Sequence, residues 1–180
     1  MEGAFLDTAP EPDVFIPGDY SGQSVAAAGD VNGDGFADLI VGAPGGYPAE
    51  AGEAYVVFGG SGAYLAALHG AGGFDLSGLD GTNGFRLAGT EVGDTVGFSA
   101  KAAGDVNGDG YGDLIIGVDR ANGYTGQSYV VFGKAAGFTA NLDLTALDGT
   151  DGYRLDGSDA FGHAGSQRVS RSEVPGTRLR

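Results

Sequence analysis

Apolar residues fall in short runs separated by Gly, Asp and Asn, and the clearest of them, Leu39-Ile-Val41, Tyr55-Val-Val-Phe58, Leu114-Ile-Ile116 and Tyr129-Val-Val-Phe132, are rich in β-branched and aromatic residues. Runs this short, bounded by turn formers, predict strands, and the frequent Gly leaves no room for a 3.6-residue apolar stripe. Eight strands are expected: Ser24 to Ala28, Asp38 to Ala43, Glu53 to Phe58, Phe85 to Ala88, Ser99 to Ala103, Asp113 to Val118, Gln127 to Phe132 and Tyr153 to Asp156. Their unbroken apolar stretches suit strands covered on both faces. Only Gly62 to His69 could form a short helix, and a loop is expected there.

The strands belong to an internal repeat. Gly29-Asp-Val-Asn-Gly-Asp-Gly-Phe-Ala-Asp-Leu-Ile-Val-Gly42 returns as Gly104-Asp-Val-Asn-Gly-Asp-Gly-Tyr-Gly-Asp-Leu-Ile-Ile-Gly117, a shift of 75. Tyr55 to Gly59 returns at Tyr129 to Gly133, a shift of 74, and Leu79 to Leu87 returns at Leu147 to Leu155, a shift of 68. The shrinking shift confines length differences to residues 43–53 and 60–73, as in stacked units of one architecture. Four-stranded units repeated side by side predict an all-β fold of β-propeller blades, each of four antiparallel strands. The organisation expected is an N-terminal segment 1–19, a first unit 20–88, a second unit 89–156, the start of a third at 157–166 and a basic tail 167–180. About two and a half units are too few to close a ring.

Composition narrows the function. The net charge of −15 repels phosphate backbones and anionic lipid heads, which argues against nucleic-acid binding and membrane-surface roles. With no Cys there is neither a disulfide framework nor a thiolate site, so any staple must use oxygen ligands. No apolar stretch has the roughly 20 residues of a membrane helix, and no secretory signal is visible at the N-terminus.

The repeated acidic loop carries the candidate chemistry. Asp30, Asn32, Asp34 and Asp38 occupy positions 1, 3, 5 and 9 of the first copy, and Asp105, Asn107, Asp109 and Asp113 those of the second. Gly35 and Gly110 at position 6 permit the turn, and the carbonyls of Phe36 and Tyr111 fall at position 7. Three carboxylates, an amide and a carbonyl suit Ca²⁺, which takes 6 to 8 oxygens, better than Mg²⁺, which keeps several waters. An EF-hand would place Glu at position 12 between helices, but Val41 and Ile116 stand there inside strands, so Asp38 and Asp113 are the expected closing ligands. The plainer alternative is an Asx-rich turn without metal, disfavoured because three carboxylates crowded together repel one another and the arrangement occurs twice.

These residues carry a family resemblance. The acidic loop running into Asp38-Leu-Ile-Val-Gly-Ala-Pro44, then Gly52-Glu-Ala-Tyr-Val-Val-Phe-Gly59, resembles the FG-GAP repeat of integrin α propellers and of bacterial secreted or surface proteins. Phe161-Gly162 matches the opening of a further repeat, whereas Gly117-Val118-Asp119 departs from Gly-Ala-Pro, and Ser21-Gly22 and Val96-Gly97 depart from Phe-Gly. The resemblance implies an extracellular binding or cell-adhesion module with structural calcium, an extracellular protein or carbohydrate ligand, and further blades as neighbours. The alternatives it leaves are a non-catalytic propeller portion of a secreted enzyme, or an inactive truncated fragment.

Other groups point to structure. Asp159, His163 and Ser166 lack the context of a hydrolytic triad, and no catalytic role is expected. His69 is expected to be a solvated loop residue, and Arg86 and Arg154 to form ion pairs with Asp80 and Asp148. Tyr55, Phe58, Tyr129 and Phe132 are expected in blade cores. A third acidic loop would fall near residue 173, where Glu173-Val-Pro-Gly-Thr-Arg178 stands, and four Arg follow Ser166, so a truncated or frame-shifted reading of a longer gene is expected. Unpaired outer edges should make the chain associate.

Overall fold

The computed structural model describes residues 20–45, 51–69, 74–89 and 91–158. The N-terminal segment, the basic tail, most of the expected third unit, and Asp159, His163 and Ser166 lie outside the described residues.

The two repeats form two sheets. The first contains β1 (Ser24–Gly29), β2 (Asp38–Ala43), β3 (Glu53–Val57) and β4 (Gly84–Ala88), paired antiparallel in that order. The second contains β5 (Val96–Gly104), β6 (Asp113–Val118), β7 (Gln127–Val131) and β9 (Gly152–Asp156), with the same order and sense. This is an all-β fold of two four-stranded blades in an open arrangement. β5 begins earlier than the expected Ser99 because its register shifts between Val96 and Ser99, where Gly97 has φ 81°. A Cβ on Gly97 would stand 2.1 Å from the Glu53 carbonyl oxygen, so that bulge needs glycine.

One strand was not expected. β8 (Asn141–Asp143), from the connection between β7 and β9, adds in parallel to the outer edge of the first blade, with Leu142 opposite Leu87. The Arg86 N–H donates to the Ala140 carbonyl at 2.9 Å, and Phe138 stacks on Phe85 with ring centroids 4.2 Å apart. The second blade therefore ties down the edge of the first, which would otherwise be open to pairing.

The main core lies between the sheets. Ile40, Val56, Phe85 and Leu87 pack in one cluster with Ala100, Leu114, Ile116 and Leu144. Tyr55, Phe58 and Tyr129 are buried as expected, and Phe132 is half-buried against Tyr153. The expectation of strands covered on both faces fails for β2, where Ile40 is buried but its neighbour Leu39 is exposed. Ile40 packs with the second blade, whereas Leu39, on the other face of β2, meets no further sheet among the described residues.

Residues Gly62–His69 form a helix, α1, and correct the expected loop. The Ser61 hydroxyl accepts the Tyr64 N–H at 3.3 Å and its carbonyl the Leu65 N–H at 3.0 Å, and the glycine-free run Ala-Tyr-Leu-Ala-Ala-Leu propagates the turn.

Leu87 and Leu155 hold the same repeat position, but only Leu87 is covered by a neighbouring blade. Leu87→Ala should lower the unfolding free energy by about 2 to 5 kcal/mol and Leu155→Ala by less than about 1 kcal/mol, measured by urea denaturation. Equal losses would contradict this packing.

Candidate metal centre

Each acidic loop joins the first two strands of its blade. In the first, Asp30 Oδ1 accepts the amides of Gly33 (2.7 Å) and Asp34 (3.1 Å), and Oδ2 that of Gly35 (3.0 Å). Positive φ at Gly33 (76°) and Gly35 (87°) turns those amides inward. Asn32 Oδ1 accepts the Asp34 amide at 3.0 Å, Asn32 Nδ2 donates to Asp34 Oδ2 at 2.9 Å, and Asp34 Oδ1 accepts the Phe36 amide at 2.8 Å. The second loop repeats the set. Asp105 accepts from Gly108, Asp109 and Gly110 at 2.7, 3.1 and 2.9 Å, Asn107 bonds Asp109 twice, and Asp109 accepts the Tyr111 amide at 2.9 Å.

Asp38 and Asp113 do something different. Both are fully buried. Asp38 Oδ2 accepts the Val31 amide and Oδ1 the Gly59 amide, each at 2.8 Å. Asp113 accepts from Val106 at 2.7 Å and Gly133 at 2.9 Å. Each carboxylate thus ties the start of its loop to the end of the third strand, beneath the other loop residues. Burial pushes the Asp38 carboxyl above its ordinary range; the Gly59 and Val31 amides act against this, and the charges of Asp34 and Asp30 add to it. That role was legible in the alternation of β2, where Asp38 shares the buried side with Ile40 and Gly42.

Among the described residues, no three or more Asp, Glu, His or Cys side chains gather as a metal cluster. The carboxylates are turned toward backbone amides, as the Asx-turn alternative describes. The donor set nevertheless fits a hard cation. A carboxylate has about four lone-pair positions, so Asp30, with three amides, and Asp34, with two donors, keep acceptor capacity in exposed loops. Phe36 and Tyr111 enter these networks through their amides.

The expected arginine pairs are corrected. Arg86 bonds Glu53 at 2.8 Å and Asn141 at 2.9 Å, and Arg154 pairs with Asp156 at 3.0 Å. Glu53 reaches Arg86 diagonally across the β3–β4 pair, whereas Asp156 stands two residues beyond Arg154 on the same face of the same strand. Asp80 and Asp148 instead cap turns by accepting the amides of Thr82 and Thr150 at 2.8 and 2.9 Å. Those bonds hold both carboxyls below the usual range, Asp80 chiefly through the Thr82 hydroxyl and Asp148 chiefly through the Thr150 amide.

A family model described as the FG-GAP repeat matches residues 21–57 and 99–131, which take in both acidic loops and the first three strands of each blade apart from the start of β5.

Asp38→Asn keeps the shape of the side chain but turns an NH₂ group toward either the Val31 or the Gly59 amide. One buried N–H then loses its acceptor, and stability should fall by about 1 to 3 kcal/mol in excess chelator, measured by urea denaturation. An unchanged midpoint would contradict the clamp.

Proposed function

Since this chain is an FG-GAP repeat protein and hence a β-propeller-type module, we propose that it is a calcium-stabilised part of an extracellular or cell-surface protein that binds a protein or carbohydrate ligand. The observation that carries the calcium reading is the duplication of one oxygen-rich loop with one hydrogen-bond pattern, Asp30, Asn32 and Asp34 in the first blade and Asp105, Asn107 and Asp109 in the second. Asp38 and Asp113, with the carbonyls of Phe36 and Tyr111, complete the proposed donor sets. When bound, the cation would supply the positive charge that these clustered carboxylates lack.

The protein's part is to hold the donors in place. The clamps under each loop fix its two ends, and the net charge of −15 favours cations generally. Sites of extracellular modules have Kd of about 0.1 to 1 mM, so they fill outside cells and stay empty at cytosolic calcium. No helix among the described residues is long and apolar enough to cross a membrane.

At Kd of about 0.1 mM and about 1 mM free calcium, each site would add about 1.4 kcal/mol to stability. Titration calorimetry should find two calcium ions per chain, one after Asp34→Ala, and none after Asp34→Ala with Asp109→Ala. No calcium heat, or unchanged stoichiometry in the double variant, would overturn the reading.

A further inference from the structure

The connection between the third and fourth strands is six residues longer in the first unit than in the second, and it carries α1 there. That insertion delivers one side chain to the first acidic loop. Gly59 lies against the end of the loop, since a Cβ on it would stand 2.2 Å from the Ala37 carbonyl oxygen and 3.1 Å from the Phe36 Cβ. Gly60 receives the Tyr64 ring, since a Cβ there would stand 2.2 Å from Tyr64 Cδ1. The Ser61 hydroxyl and carbonyl, accepting the Tyr64 and Leu65 amides, fix the turn of α1 from which the ring returns. In the second unit Lys134 stands in place of Gly60 and has the Cβ that this ring excludes, and the shorter connection has no residue matching Tyr64.

Tyr64 has an unsatisfied end. The residue is half-buried, its hydroxyl oxygen is buried, and that oxygen has no hydrogen-bond partner among the described residues. A buried hydroxyl left in that state has lost its hydration without replacement, which is why buried tyrosines usually find a partner. Burial, and after it the charges of Asp34, Asp80 and Asp38, push the phenol above its ordinary range, so the hydroxyl stands in the field of the first loop's carboxylates. Each of those carboxylates already takes donors from its own surroundings. Asp34 Oδ1 accepts the Phe36 amide and Oδ2 the Asn32 Nδ2, Asp38 accepts the Val31 and Gly59 amides, and Asp80 accepts the Thr82 hydroxyl and amide. The Tyr64 hydroxyl bonds to none of them.

We infer that Tyr64 belongs to the first cation site, where its hydroxyl oxygen accepts a hydrogen bond from a water that completes the oxygen shell. The inference rests on the calcium reading above. The first loop offers the side chains of Asp30, Asn32, Asp34 and Asp38 and the carbonyl of Phe36, whereas Ca²⁺ takes about 6 to 8 oxygens, with waters among them. A water held by a cation turns its hydrogens outward, and a phenol oxygen without a partner is an acceptor for one of them. Tyr64 is thus a positioning residue of the first site, and the second site lacks its counterpart.

Calorimetry on full chains that keep one site each separates the two loops. With the second site removed by Asp109→Ala, adding Tyr64→Phe should weaken calcium binding about three- to tenfold, the worth of one hydrogen bond. With the first removed by Asp34→Ala, adding Tyr64→Phe should leave the remaining site unchanged. Urea denaturation supplies a readout that a packing role would not give. In excess chelator Tyr64→Phe should hold or raise the midpoint, because the lost hydroxyl had no partner, whereas in about 1 mM calcium it should lower the midpoint. Unchanged affinity in the Asp109→Ala chain, an equal loss at both sites, or a midpoint that falls as far in chelator as in calcium would overturn this role and leave the calcium reading standing. A native chain that takes up no calcium would overturn both.

Discussion

The fold depends on one buried carboxylate per blade. Asp38 and Asp113 each accept two backbone amides, one from the second residue of the acidic loop and one from the glycine two residues past the third strand. An ionised carboxylate is costly to bury, and charge-assisted bonds to N–H groups are what make the position tolerable. The first clamp also fixes the carbonyls of Asp30 and Val31 at which the second blade docks through Gly112 and Lys134. Loop, blade and blade-to-blade contact therefore share one anchor.

That anchor divides the acidic residues into two kinds. Asp38 and Asp113 are internal, satisfied by amides, and hold the scaffold. Asp30, Asn32 and Asp34, with Asp105, Asn107 and Asp109, stand around the outside of the same turn, where their oxygens are partly used by the loop's own amides. In the proposed function the cation takes the lone pairs that the loop amides leave unused on this outer set, and the inner aspartate keeps both of its amides while offering a remaining lone pair from below.

The strands and the duplicated unit could be read from the sequence because short β-branched runs and a repeated motif are local signals. What escaped depended on neighbours. β8 has three residues and exists because β4 offers an edge; Leu39 looks as apolar as Leu114 yet is exposed, since coverage depends on which side has a blade. α1 turned on a single capping serine, and Arg86 found Glu53 across the sheet instead of Asp80 along the chain. For the acidic loops, spacing picked out Asp30, Asn32 and Asp34, which share one hydrogen-bond network, but not the separate role of Asp38, which follows from the inward register of β2.

Amide hydrogen exchange with and without calcium tests that division most directly. The amides of Val31, Gly59, Val106 and Gly133 should exchange slowly in both conditions, since each is bonded to a fully buried carboxylate. Those of Gly33, Gly35, Gly108 and Gly110 should be fast in chelator and slow down with calcium. Clamp amides that exchange as fast as loop amides in chelator, or loop amides indifferent to calcium, would contradict the account.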